Sequence, residues 1–194
     1  MNLTALAPRV CFEASKNATL DFRVGLRDKK IIIKISVAFL ARPTDLERFT
    51  PIGTFLHRAK KKQRRDFWAL RELCRKPALW DAGKRFLLSH ELAHIYHHHI
   101  CRNPATHAES RRDEKQADLT ATEFSEDIEI EGGIRFFQIV GKYQQIEEED
   151  HPAPHVRVAY LQTRRDALRS GKAVRSPVLP ARPLPTDRPS AKIN

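Results

Sequence analysis

The most constraining stretch of this 194-residue chain is "RFLLSHELAHIY", residues 85–96. Between Phe86 and Tyr96 it carries one charge, Glu91, and no proline. So neutral a segment suits the interior, where a stray charge would be desolvated without a partner. The pattern predicts a helix from about Asp81 to His99, and it places polar groups of a particular kind inside it. His90 and His94 are four apart, so on a helix they share one face. Each can offer one ring nitrogen to a single zinc ion. Glu91 sits beside the first imidazole, too far round the helix to ligate. It is placed to take a proton from a water on that ion and to hand it later to a leaving amine. The competing reading is an amphipathic helix whose histidines face water. The extra histidines at the helix end divide in the same way. His97 and His98 either line the cleft and bind a second ion, or mark a helix leaving the core, where imidazoles suit the negative end of the dipole. His57 and His107 belong to no motif and read as surface residues.

A hydrolytic zinc needs a third protein ligand and one open position. A metzincin would have glycine and histidine where this chain has His97 and Ile100, so that pattern fails. The stretch "ESRRDEKQADLTATEF", within a predicted helix at 106–124, offers Glu109, Asp113 and Glu114 instead. Asp118 lies four residues after Glu114, on the same face. It can accept the second N–H of a ligating histidine and so fix its tautomer.

Around this pair of helices the chain reads as one domain, residues 1–170, of α+β class. Residues 18–24 and 30–39 are rich in β-branched and aromatic side chains and predict a β-hairpin turning at "GLRDK". A helix is expected to begin near Pro43, another spans 59–76 and ends at Pro77, and a last one spans 155–168. "GGIRFFQIV" fits either a short strand or a helix start. From Gly171 the chain is Pro-rich and basic, the composition of a disordered tail, 171–194. The hairpin or small sheet is expected to pack on the mostly helical core. An extended peptide would then be held by strand addition in the cleft between them.

Three ordered elements resemble a known group. His90-Glu91-Leu92-Ala93-His94, then Glu114-Lys115-Gln116-Ala117-Asp118, looks like the HExxH…ExxAD arrangement of gluzincin metallopeptidases. "DHPAPHVRVAYL", with His151, Pro152, Arg157 and Leu161, is similar to the HPxxxxRxxxL segment of HtpX-type peptidases. The soluble ImmA/IrrE-type and Lit-type phage-exclusion peptidases are the other similar patterns. The resemblance covers residues 85–165. It implies a zincin-like fold and a zinc endopeptidase, with His90, His94 and Glu114 holding Zn2+ and Glu91 as general base. Glu114 is thereby preferred to Glu109 and Asp113. Asp118 supports a ligand from behind, and His151 or Arg157 stabilises an oxyanion. Arg157 reads equally as an ion pair to Asp118, and His151 as a turn residue before Pro152. The chain departs from HtpX-type proteins in lacking a stretch apolar and long enough to span a bilayer, so a membrane role does not carry over.

The formal charge of +11 favours acidic partners. A basic block (Arg58, Lys60, Lys61, Lys62, Arg64, Arg65) faces an acidic one (Glu147–Asp150) in sequence. The expected partner is a protein or peptide substrate, and an acidic one would suit the charge. The alternative is a module that binds nucleic acid or protein, with the metal site structural or degenerate. The block lacks the interleaved aromatics of single-strand binders, and no helix-turn-helix or zinc-finger spacing is present. Cys11, Cys74 and Cys101 form no CxxC pair and read as reduced thiols. With no signal peptide in view, a cytoplasmic setting is expected.

Overall fold

The structure is a computed structural model and describes residues 10–15, 22–27, 30–36, 61–101, 106–143 and 150–172. The expected helix at Pro43, His57, Arg58, Lys60, residues 147–149 and all but the first two residues of the tail lie outside these. Among the described residues the chain is α+β and mostly helical. The order is β1 (Val10–Ser15), β2 (Phe22–Arg27), β3 (Lys30–Ser36), α1 (Lys61–Leu73), α2 (Pro77–Tyr96), a 3-10 turn (His99–Cys101), α3 (His107–Phe124), α4 (Asp127–Tyr143) and α5 (Pro154–Arg169). No helix among these is long and apolar enough to cross a membrane.

The expected hairpin forms, with shifted bounds: β2 and β3 pair antiparallel, Phe22 opposite Ile35 and Arg27 opposite Lys30. Gly25, Leu26 and Arg27, expected in the turn, belong to the strand. A third strand, β1, was not anticipated. It pairs parallel to β3, Val10 beside Ile31, giving the order β1-β3-β2. β3 is the middle strand, and its Ile31 and Ile33 are buried.

Pro77 does not end a helix but begins one. Its fixed φ and missing N–H suit the first turn. Helix α2 therefore starts four residues before the expected Asp81 and ends at Tyr96, three residues before His99. "GGIRFFQIV" is helical and lies within α4. The reason for its glycines is contact with α2. A Cβ on Gly132 would lie 2.3 Å from the Gly83 nitrogen, and one on Gly133 would lie 2.3 Å from the Phe86 ring. The two backbones touch, which a side chain would prevent. Ile130, Ile134 and Phe137, on the same face of α4, join Trp80, Phe86 and Leu87 of α2 in the core, with Leu70 and Leu73 of α1 and Leu161 of α5. Helix α2 is thus gripped by α4 on one side and meets α3 on another, with β2 across its C-terminal half. Cys74 is buried in this core, and burial pushes its thiol up to about 11.

Candidate metal centre

His90 and His94 project from α2 towards α3, and their Nε2 atoms lie 3.1 Å apart. Glu114 of α3 points between them. One of its oxygens lies 3.4 Å from His90 Nε2, and the other 3.2 Å from His94 Nε2. A tetrahedral ion with arms of about 2.05 Å has edges of about 3.3 Å. The two nitrogens stand about one such edge apart, and each meets a different Glu114 oxygen at a similar distance, so one atom from each residue can reach a single metal ion. Buried Glu114 Oε2 has no aligned hydrogen-bond partner, as befits a ligand atom. Among the described residues His90, His94 and Glu114 are the group that can hold a metal ion. The rivals do not join it. Glu109 pairs with Arg112 on the first turn of α3, and Asp113 turns to His99 at 3.7 Å.

Behind the three lies a second set of charges. Asp118 is fully buried, and its Oδ1 lies 2.9 Å from His90 Nδ1. Arg157 of α5 donates to both oxygens of Asp118, at 2.7 and 2.6 Å. Its Nη1 stands 3.5 Å from Glu114, and its guanidinium lies 3.9 Å over the Phe137 ring. The Tyr160 hydroxyl also donates to Asp118. Of the two readings of Arg157, the ion pair with Asp118 is what the geometry displays. His151 is half exposed at the rim of the cleft, 3.7 Å from Glu114.

These contacts set the protonation pattern of the metal-free site. Burial opposes a charge on His90, but Asp118 and Glu114 outweigh it and push its pKa up to about 10. Burial holds His94 below the usual imidazole range. Burial also works against a charged Asp118, yet Arg157 and His90 bring its carboxyl down to about 2. Glu114 is likewise held well below its ordinary value, its burial overcome by His90, His94 and Arg157. Glu91 is different. Burial dominates and raises its pKa to about 7, although a hydrogen bond from the Val24 backbone favours the charge.

The cleft has a volume of about 210 Å³ and is bordered by Phe22–Val24 of β2, Glu91, Glu114 and His151. The sequence-predicted residues therefore come together here. Residues it missed are Tyr160, three positions beyond Arg157 on one helical face, and His99, which is buried while His98 is exposed. The reading of a helix end leaving the core suits His98. It does not suit His97, whose Nε2 lies 2.8 Å from Thr120 Oγ1 between α2 and α3. His107 is at the surface, beside Asp150. Of the basic block, Arg64 is exposed and Arg65 half-buried at the start of α1. Comparison with protein-family models, with curated proteins and with solved structures finds no match.

Proposed function

We propose that this chain is a zinc-dependent endopeptidase with a zincin-like fold, acting on a peptide laid along β2. The observation that carries the reading is the pair of imidazole nitrogens 3.1 Å apart with a Glu114 oxygen near each, and buried Glu91 beside them. Two nitrogens and one oxygen suit zinc better than magnesium or calcium, which prefer all-oxygen sets. His90, His94 and Glu114 hold the ion; when bound, it supplies Lewis acidity to a water and to the scissile carbonyl. Glu91 accepts the proton of the attacking water and delivers it to the leaving amine. β2 is the outer strand of the sheet on the cleft side, and its backbone orients an extended substrate. His151 at the rim donates to the developing oxyanion. Arg157 stays on Asp118 and keeps His90 and Glu114 in place without touching substrate.

Incubation with a library of cellular peptides, read by mass spectrometry, tests this. Wild type is expected to cut within peptides, and Glu91→Gln to cut none while keeping its zinc. A zinc-loaded wild type that leaves the whole library intact overturns the proposal.

A further inference from the structure

His90 is backed at Nδ1 by a carboxylate; His94 is not. The His94 Nδ1 atom instead lies 3.0 Å from Nδ1 of His99, a buried imidazole beyond the end of α2. His99 reaches this position because His98 adopts φ 56°, a left-handed conformation rare for a residue with a side chain. The turn sends His99 back under His94 and against α3. From there the polar contacts continue. His99 Nε2 lies 3.1 Å from Gln116 Oε1, Gln116 Nε2 lies 3.4 Å from His97 Nδ1, and His97 Nε2 lies 2.8 Å from Thr120 Oγ1.

We infer that His99 is the positioning residue of His94, and the head of a hydrogen-bond chain His94–His99–Gln116–His97–Thr120 whose direction the metal sets. The inference rests on the zinc reading above. A neutral His94 that gives Nε2 to an ion must carry its proton on Nδ1. It therefore donates to His99 Nδ1. His99 must then carry its own proton on Nε2, and donates to Gln116 Oε1. The Gln116 amide donates to His97 Nδ1, so His97 is protonated on Nε2 and donates to Thr120. Every donor meets an acceptor in this one direction. The reverse direction would require His94 Nδ1 to accept, which a neutral, Nε2-ligating imidazole does not do. The second ligand is thus held through His99 and Gln116, with the Asp113 carboxylate 3.7 Å from His99 Nε2, whereas His90 meets the Asp118 carboxylate directly. Such backing partners are commonly worth 10- to 100-fold in metal affinity.

The test has two parts. Zinc affinity is measured by competition with a chromophoric chelator for wild type, His99→Leu and His99→Asn. Asparagine keeps an acceptor near the position of Nδ1. His99→Leu is expected to weaken zinc binding roughly 10- to 100-fold, and His99→Asn to recover most of the loss. Long-range proton–nitrogen NMR spectra of the zinc-loaded wild type are expected to show His97 and His99 both as Nε2–H tautomers. Unchanged affinity in His99→Leu, equal losses in both variants, or an Nδ1–H tautomer at His99 overturns the inference. Failure of wild type to bind zinc removes the metal reading itself; zinc on wild type with any of those three results removes this inference alone.

Discussion

At the scale of single residues the site is a set of buried charges that cancel only together. Asp118 has no exposure and Arg157 is bound to both its oxygens, so Arg157→Leu leaves a buried carboxylate with only its His90 and Tyr160 contacts. A loss of about 3–5 kcal/mol is expected, read by urea denaturation, with weakened zinc binding. The pH dependence of the zinc-free protein follows from the same groups. Asp118 ionises at about 2 in the fold, below its ordinary value, so its contribution is present above pH ~4 and is lost as pH falls towards 2. His90 holds its proton to about 10, so its contribution is present below pH ~6.5 and is lost as pH rises towards 10. Glu91, raised to about 7 by burial, adds to the alkaline loss from pH ~4.5 upward. Thermal melts of chelator-treated protein are therefore expected to be highest in the weakly acidic range and to fall on both sides. Melting temperatures that rise steadily from pH 5 to pH 9 would contradict this assignment of charges.

At the scale of elements, backbone contact decides. The crossing of α2 and α4 puts Gly132 against the Gly83 backbone, where no flexible side chain can yield. Gly132→Ala is expected to destabilise by about 3 kcal/mol or to prevent folding, whereas Gly25→Ala, with open space at its Cβ, changes little beyond strand propensity. His98→Gly is expected to raise stability by roughly 0.5–1 kcal/mol, since glycine accepts the left-handed turn without strain. Differential scanning fluorimetry of the three variants checks these signs. The elements also show what could be read in advance. HExxH and Glu114–Asp118 were legible because four-residue spacing fixes a helix face whatever surrounds it. The glycine pair was not, because Gly132 reports the backbone of Gly83, 49 residues away, and Gly133 the ring of Phe86, rather than a local preference. β1 was missed for a similar reason. Its partner is β3, and Phe12, its largest side chain, is 64% exposed rather than turned to the core. His99 escaped because its burial depends on the left-handed turn at His98, which nothing local announces.

At the scale of the whole molecule, the site joins three helices and a sheet edge. His90, Glu91 and His94 come from α2, Glu114 and Asp118 from α3, Arg157 and Tyr160 from α5, and the cleft wall from β2. An ion held among them would tie these elements together, and its binding would then add to folding stability. Zinc at 100 times its dissociation constant should add about 2.7 kcal/mol. A chelator should remove that gain, and Glu114→Ala should show none of it. The most direct measurement is zinc per chain by plasma mass spectrometry, on wild type and Glu114→Ala, both purified without a nickel column. The account predicts about one zinc in wild type and much less in the variant. Wild type that takes up no zinc after dialysis against it, or a variant that retains it in full, would contradict the two-histidine, one-glutamate centre.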